Sequence, residues 1–297
     1  MTNPDALPPT SAQVSLELAV IIPCHNEEET LAEQLDALTH QLWDRPWGIV
    51  VVDNGSKDGT AAIARRYEDR GVRLVTANAG KGVAYARNSG AKAVDSAAVA
   101  FCDGDDVVHP GWVAAMGNAL ENADIVSGQL DTNTLNPGWM AETRPMGRPG
   151  KLPTFGIIEF ASGGNCAIRR EVFERLGGYD EDFVGLEDIE FSLRARAMGA
   201  SIAAAPDAVL SYRMREGLKA VWRQGLFYGR GRPALIARAK HMGLPAPSRL
   251  EGLRSWGWLV VNLPSVRTRT GRHKLVWVLA NRIGVLRGAI AARSFYI

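Results

Sequence analysis

Residues 97–112 read AAVAFCDGDDVVHPGW and pass from an apolar run into a cluster of carboxylates. The apolar part predicts a buried strand, and Asp103, Asp105 and Asp106 follow directly where that strand ends. Gly104 lets the backbone bend closely around a ligand, and carboxylate oxygens are the ligands that Mg²⁺ prefers. Solvated turns also favour Asp and Gly. The stretch therefore predicts either a divalent-cation site or a plain turn.

Apolar runs alternate with helical patterns on the amino-terminal side of this turn. The predicted strands are 18–23, 48–53, 72–76 and 97–102. The predicted helices begin at Asn26, whose spacing from Glu29 fits a capping box, and cover 58–71 and 81–94. Continuous Val/Ile strands separated by helices predict an α/β fold with a mainly parallel sheet covered on both faces. Because such sheets bind ligands beyond the carboxyl ends of their strands, Asp53 and residues 103–106 should face one crevice.

Beyond the turn the pattern becomes less regular. We expect a helix after Pro110, a strand over 123–130, a helix over 169–176 and a helix opening at Glu187. Residues 160–168 are interpreted as a Gly-rich turn. Residues 131–155 have no periodicity, and a loop of that length is usually functional, so we expect it to cover the crevice.

Composition indicates an ordinary folded protein in the cytoplasm. The chain has 297 residues, and a hydrophobic content of 46% is ample for a core. Residues 1–15 are polar and Pro-rich without the features of a signal peptide, so we expect a disordered leader. Cys24, Cys102 and Cys166 are odd in number and lack metal-ligand spacing, which predicts reduced core thiols.

Charge divides the chain into an acidic body, residues 16–212, and a basic extension, residues 213–297. The extension holds 17 of the 34 Lys and Arg residues but only two of the 32 acidic residues, Glu216 and Glu251. Such an excess suits phosphates, anionic lipid or nucleic acid as partners. Because no nucleic-acid-binding motif accompanies the charge, nucleic acid is not expected.

Taken together, several blocks in this order resemble the family 2 glycosyltransferases, which are inverting enzymes of the GT-A fold. The resemblance covers about residues 17–212. It rests on the blocks VIIPCHNEEETL, VVVDNGSKDGT, GKGVAYARNSG, FCDGDD, GGNCAIRR and GLEDIEFSLRA. It implies a nucleotide-sugar donor, an acceptor hydroxyl and a Rossmann-like catalytic domain, followed here by a mostly helical extension.

The resemblance assigns the donor to the first three blocks. Asp53 matches the aspartate that contacts the base, commonly uracil, although a turn-capping role also fits its sequence. The other nucleotide contacts that it implies are Pro23, Asn26, Glu27, Lys81 and Arg87. For Glu27 the neighbouring acids leave the assignment ambiguous, because a charge stabilising a helix N-terminus fits equally well. For Lys81 and Arg87 a solvated helix face is the alternative.

The resemblance also assigns Asp103, Gly104 and Asp105 to the donor, with Asp103 on the ribose or a metal-bound water and Asp105 on Mn²⁺ or Mg²⁺. A cation there neutralises charge as the nucleotide departs. Relatives often add a His ligand near residues 209–213, where this chain has Tyr212. We therefore expect sparse protein coordination and weak cation binding before the nucleotide arrives.

The acceptor side is assigned to the last two blocks. In the family the ED pair supplies the carboxylate that takes the acceptor proton, which maps to Asp188 with Glu187 beside it. A helix N-terminus keeps such a carboxylate ionised, although dipole compensation alone also accounts for an acid there. Gly163, Gly164 and Asn165 match the acceptor-binding turn, where a plain turn is the alternative.

The extension carries two further predictions. Residues 217–240 are expected to form two short helices broken at Gly231–Pro233. Residues 273–297 are apolar but interrupted by arginines, which is too polar for a spanning helix. They suit a helix lying on an anionic membrane surface, or a helix packed on the catalytic domain with its arginines outward.

The expected function is thus an inverting, metal-assisted transfer of a hexose-type sugar, with a UDP-sugar as the first choice of donor. The acceptor is a glycan, a lipid or a small molecule, and the enzyme is cytoplasmic or peripheral on the inner face of the cell membrane. The alternatives to this function are a sugar-1-phosphate nucleotidyltransferase and a non-catalytic GT-A-fold binding protein. A Rossmann dehydrogenase is disfavoured, because no G-x-G-x-x-G follows the first strand.

Overall fold

The computed structural model describes residues 15–144, 146, 148–183, 185–245 and 250–291. Its centre is an eight-stranded sheet in the order β3-β2-β1-β4-β9-β6-β10-β5. The strands of this sheet are β1 Leu16–Cys24, β2 Trp47–Asp53, β3 Val72–Thr76, β4 Ser96–Cys102, β5 Val107–Val108, β6 Ile125–Asp131, β9 Asn165–Arg169 and β10 Ile202–Ser211. A small hairpin joins β7 Thr154–Phe155 to β8 Ile158–Glu159.

The sheet is mainly parallel, as predicted. Strands β3, β2, β1 and β4 run parallel, and their register places Cys24 opposite Asp53 at the carboxyl end. Strand β9 enters antiparallel between β4 and β6, with Asn165 opposite Cys102. The predicted turn at residues 160–168 is therefore wrong from Asn165 onward. The segment NCAIR is too short to be recognised as a strand from its sequence alone, and it forms a strand because β4 and β6 flank it.

Helices cover both faces of the sheet. The helices of the catalytic region are α1 Leu31–Thr39, α2 Thr60–Arg65, α3 Val83–Lys92, α4 Trp112–Ala119, α5 Gly138–Ala141, α6 Arg170–Arg175 and α7 Glu187–Ala197, with a 3₁₀ turn at Glu68–Arg70. The first helix begins five residues later than predicted. Asn26 has a φ of 59° and the N–H of Leu31 bonds the carbonyl of Glu27, so residues 25–29 form a loop at the crevice instead of a capping box.

The apolar residues of the strands form two clusters, one on each face of the sheet. Leu18, Val20 and Ile22 point into one cluster, and Ile21 points into the other. Burial on both faces explains why these strands read as continuous apolar runs. The three cysteines are free and buried, which confirms the prediction of core thiols.

The extension consists of α8 Leu218–His241, α9 Leu250–Val261, a 3₁₀ turn at Leu263–Arg267 and α10 Arg269–Ala291. The predicted break at Gly231–Pro233 is wrong, since α8 continues through Pro233. A proline inside a helix costs about 3 kcal/mol or more, and packing against α10 offsets that cost. Gly229 of α8 and Gly284 of α10 bring the two backbones into contact, where a Cβ on either glycine would overlap the other helix.

This packing bears on the two predictions for residues 273–297. Helix α10 lies against α8 and buries Leu275, Val285 and Ala289, so the described part is a packed helix, and its binding to a membrane stays a prediction. Its arginines are not all outward, because Arg282 is buried. Residues 292–297 lie outside the described residues, as does the predicted leader up to residue 14. Among the described helices, none is long and apolar enough to cross a bilayer.

Candidate active site

The acidic turn that follows β4 is held in place by a side chain from α1. Gln34 is buried, donates from its amide to the carbonyl of Asp103 at 3.1 Å, and accepts the N–H of Val108 at 3.0 Å. It therefore clamps both ends of residues 103–108. Sequence reasoning missed this residue, although a polar side chain on the apolar face of a predicted helix was the available signal.

The segment after β10 holds the other side of the turn. The backbone N–H of Arg213 donates to Asp106 at 2.8 Å, and its guanidinium donates to the carbonyl of Asp105 at 2.8 Å. Arg215 pairs with the Asp105 carboxylate at 2.9 Å. Tyr212 points away, with its hydroxyl bonded to Gln224. At the position where relatives often place a histidine, this chain therefore brings a guanidinium to Asp105, which no local pattern in the sequence revealed.

Arg87 of α3 joins the two acidic parts of the site. Its guanidinium donates to Asp103 at 3.0 Å and to Glu187 at 2.8 Å, and only 3% of the side chain is exposed. Burial alone lowers the pKa of Arg87, but Asp103 and Glu187 more than compensate and raise it. The alternative of a solvated helix face is wrong, because the cation is enclosed. Arg87 therefore sets the spacing between the donor turn and α7.

Carboxylates crowd together around the donor turn. Burial raises the pKa of Glu27 to about 8, and the charge of Asp105 adds to that rise. Burial also raises the pKa of Asp105, although Arg215 opposes the shift. Each of these groups binds a proton more tightly than usual mainly because burial disfavours its charged form, and a neighbouring carboxylate adds to the effect. The site is therefore suited to receive a cation.

The oxygens of Asp103 and Asp105 are the hard donors that Mn²⁺ or Mg²⁺ require. Among the described residues, no three His, Cys, Asp or Glu side chains converge to hold a metal ion. The two carboxylates therefore fit a cation that takes its remaining ligands from water and a bound diphosphate. In this structure the half-exposed Arg215 side chain occupies the Asp105 carboxylate.

A cavity of about 610 Å³ opens at the carboxyl ends of β1, β2 and β4. Its wall contains the predicted donor residues Pro23, Glu27, Lys81, Asp103 and Asp105. It also contains residues that the sequence did not single out, namely His25, Asn54, Lys57 and Arg215. A larger cavity of about 970 Å³ lies at the amino ends of the strands, near Gly48 and Arg73, which is the wrong end for this chemistry.

Four predicted donor residues, Asn26, Asp53, Arg87 and Gly104, are not among the residues that line this cavity. Asp53 is buried and accepts the N–H of Ser56 at 3.0 Å, which is the turn-capping alternative. Asn26 accepts the N–H of Lys57 at 2.8 Å and donates its own N–H to Ser56 at 2.9 Å. Both side chains hold the loop of residues 54–58, and their contacts with a nucleotide remain predictions.

Glu187 and Asp188 begin α7, as predicted. Asp188 accepts the N–H of Gly163 at 3.0 Å and the N–H of Ile189 at 2.8 Å, which fixes the carboxylate at the helix N-terminus. Burial raises the pKa of Asp188, and the N–H of Gly163 opposes the rise. The preceding residue, Leu186, has a φ of 63°, a strained conformation of the kind that clusters at functional sites.

The predicted acceptor turn lies between these acids. A Cβ on Gly164 would collide with the Asp103 carboxylate, and a Cβ on Gly163 would lie 2.6 Å from the Arg87 guanidinium. Glycine is required there because the acidic side chains and Arg87 fill the space. Asn165 is fully buried, donates to the carbonyl of Gln129 and accepts from Trp112. A direct bond from Asn165 to an acceptor is therefore wrong for this structure.

The loop of residues 131–155 contains α5 and part of the hairpin. Asn136, Pro137 and Met140 line a groove with Arg213 and Glu216 beside the donor cavity. The loop therefore borders the mouth of the crevice, and the predicted covering role remains a prediction.

Comparison with known proteins finds related chains and similar folds. Glycosyltransferase AglE of Haloferax volcanii is 29% identical over 203 residues, which span 65% of each chain and thus less than two thirds of AglE. The mannosyltransferase PcManGT of Pyrobaculum calidifontis, solved with GDP-Man and Mn²⁺, superposes with a TM-score of 0.63 at 19% identity, over 93% of this chain and 88% of PcManGT. A fragment of S. aureus TarS, solved with UDP-GlcNAc, gives 0.55 at 16% identity, over 95% and 93%.

These structures confirm the GT-A fold that the sequence predicts. The sequence model of Glycosyl transferase family 2 matches residues 19–177, which is more than half of the chain. The chain belongs to glycosyl transferase family 2.

Proposed function

We propose that this protein is an inverting transferase that moves a hexose-type sugar from a nucleotide-diphosphate donor to an acceptor hydroxyl. The observation that carries the proposal is the position of Arg87, which holds Asp103 of the donor turn and Glu187 of α7 in one buried network. We infer from it that the turn binds the diphosphate and that Asp188, next to Glu187, accepts the proton from the opposite side of the bound sugar. Inverting transfer needs this arrangement, since attack and departure occur on opposite faces of the sugar.

The donor occupies the cavity beyond β1, β2 and β4. Its nucleoside lies against the wall formed by Pro23, Asn54 and Lys81, and its diphosphate approaches Asp105. Arg215 leaves Asp105 as the diphosphate arrives and binds a phosphate oxygen, because a guanidinium suits bidentate phosphate binding. The Arg215 side chain is half-exposed, so it can move to the phosphate while Asp105 stays in place.

A divalent cation bound to Asp103 and Asp105 would supply Lewis-acid stabilisation of the departing diphosphate. Asp188 takes the proton of the acceptor hydroxyl while the acceptor oxygen forms its bond to C1. The bond between C1 and the diphosphate oxygen breaks, and its electron pair leaves with the nucleoside diphosphate. Glu187 stays paired with Arg87 and keeps the N-terminus of α7 in position.

Two donor chemistries have support. The TarS fragment is bound to UDP-GlcNAc and PcManGT to GDP-Man, so both bases occur among proteins of this fold. A UDP-sugar remains the first choice. A lipid-linked acceptor is supported by a match over 35% of this chain to an E. coli glucosyltransferase that acts on a diphosphoundecaprenol-linked sugar.

A panel of UDP-, GDP- and dTDP-sugars with Mn²⁺ or Mg²⁺ tests the proposal, with donor hydrolysis and thermal shift as readouts. We expect one donor class to raise the melting temperature and to be slowly hydrolysed, both only with the cation. Folded protein that responds to no donor contradicts the proposal. Release of pyrophosphate from a nucleoside triphosphate and a sugar 1-phosphate would instead establish the nucleotidyltransferase alternative. Donor binding without any turnover would establish the non-catalytic one.

A further inference from the structure

Six apolar side chains are exposed along one short segment of the extension. They belong to α9 and the 3₁₀ turn that follows, and we call them the 253–266 surface. Its members are Leu253, Trp258, Val260, Val261, Leu263 and Val266. Within the described part of the chain, the adjacent residues Val260 and Val261 are 76% and 78% exposed. An apolar cluster of this kind marks an interaction surface.

Between residues 252 and 274 every charged residue is basic, and Glu251 directly precedes this stretch. Arg254, Arg267 and Arg272 are exposed at its edges, and no acidic residue follows Glu251 in the sequence. Tryptophan and aliphatic side chains bordered by arginines are typical of helices that lie in the interfacial region of an anionic bilayer. A protein partner with an acidic rim would satisfy the charges equally, and the vesicle test below distinguishes it from a bilayer.

The surface is connected to the mouth of the crevice. Arg269, directly after the 3₁₀ turn, pairs with Glu216 at 3.3 Å and lies over the ring of Trp139 at 4.1 Å. Glu216 adjoins Arg215, which reaches Asp105. Thr270 donates to the carbonyl of Trp139 at 3.4 Å. A bilayer seated on the 253–266 surface would therefore lie next to the crevice opening.

We propose that the 253–266 surface docks the protein on an anionic lipid bilayer, with the apolar side chains in the interfacial region and the arginines at the headgroups. In this proposal the membrane-binding segment is 253–266 and not 273–297, because α10 packs its buried residues against α8. Docking rests on the exposed apolar surface and its charge, and does not depend on the transferase activity.

Flotation of the full-length protein with vesicles tests the proposal. Vesicles of phosphatidylcholine with phosphatidylglycerol are compared with vesicles of phosphatidylcholine alone, at low and at high salt. We expect flotation with the anionic vesicles, reduced by salt. The variant Val260→Glu/Val261→Glu should float about tenfold less or worse, since two carboxylates must then stay in water beside anionic headgroups.

The matched control is Leu42→Glu/Ile290→Glu, which makes the same charge change at side chains that are 85% and 79% exposed elsewhere. It should float as the wild type does, within about twofold, because screening weakens a distant charge. Equal loss in both variants, or no flotation of the wild type, overturns the proposal. A wild-type dimer that Val260→Glu/Val261→Glu makes monomeric would assign the surface to a second copy and also overturns it.

If the variant Val260→Glu/Val261→Glu does not fold, the proposal can still be tested by fluorescence of the wild-type protein. Brominated phosphatidylcholine in the anionic vesicles should quench part of the tryptophan emission of the wild type, and less of the emission of Trp258→Phe. An equal quenched amount in both proteins contradicts the proposal.

Discussion

Two arginines pair with neighbouring carboxylates of the same turn, yet their surroundings are opposite. Arg87 meets Asp103 at 3.0 Å on the inner side of the crevice, and Arg215 meets Asp105 at 2.9 Å on the outer side. The Arg87 side chain is 3% exposed and that of Arg215 is 53% exposed. The two ion pairs therefore have similar distances but different functions. The inner pair holds the fold together, and the outer pair can open for a ligand.

The largest expected effect follows from breaking the inner pair. Arg87→Met should lower the free energy of unfolding by about 3–5 kcal/mol, because it leaves the buried carboxylate of Glu187 and the partly buried carboxylate of Asp103 without their cation. Urea denaturation measures this change. Arg70→Met is the control, since it breaks an exposed pair with Asp36 and should cost about 1 kcal/mol or less. Equal losses in the two variants would contradict the distinction between inner and outer pairs.

The next effect sharpens the same comparison without removing a charge. Gly164→Ala places a methyl group against the inner carboxylate of Asp103 and should lower the transfer rate by about 10- to 100-fold, because misplacement of a reacting group by about 1 Å is that costly. Initial rates with the active donor measure it. Gly257→Ala, which meets nothing within 4 Å, should leave the rate unchanged. A fully active Gly164→Ala enzyme would show that the position of Asp103 is unimportant.

The inner side should also determine the pH dependence. Burial raises the pKa of Asp188, and a base acts only when ionised, so kcat/KM should fall as the pH drops through that raised pKa. The acidic limb of the profile should therefore lie above the usual aspartate range near pH 4. Donor affinity measured by thermal shift at each pH separates this limb from protonation at the donor turn. A flat profile down to the usual range would contradict the assignment.

The smallest effect concerns the outer pair. Arg215→Met should tighten Mn²⁺ binding to the nucleotide-free protein several-fold, because the guanidinium no longer competes for the Asp105 carboxylate. The same variant should bind the nucleotide sugar more weakly, since the phosphate loses a guanidinium. Calorimetry measures both affinities. Arg45→Met, which breaks an exposed pair with Glu121, should change neither, and an Arg215→Met variant that behaves likewise would remove Arg215 from the site.

The donor half of the fold could be predicted because its signals are local. Each strand from β1 to β4 is a continuous apolar run, and the polar residues that follow it must lie at one edge of a parallel sheet. That argument places Asp103, Asp105 and the loop after Asp53 together before any contact is known. The start of α7 at Glu187 was predictable for the same reason, since acidic residues at its first turn are a local signal.

The remainder depends on contacts between distant parts of the chain. Arg215 reaches Asp105 across 110 positions in the sequence, and no pattern around either residue indicates the pairing. Asn165 looked available because its block contains glycines, but β9 buries it between β4 and β6. Helix α8 continues through Pro233 only because Gly229 and Gly284 let α10 pack closely on it. Propensity alone predicted a break there.

The central claim is that one crevice has a donor side at Asp105 and a base side at Asp188. The most direct test measures donor affinity by calorimetry and transfer by initial rate in Asp105→Asn and Asp188→Asn. We expect Asp188→Asn to bind the donor with unchanged affinity while transfer falls by about 10²- to 10⁴-fold. Asp105→Asn should lose the cation-dependent part of donor binding. Retained transfer in Asp188→Asn, or loss of donor binding in both variants alike, would contradict the account.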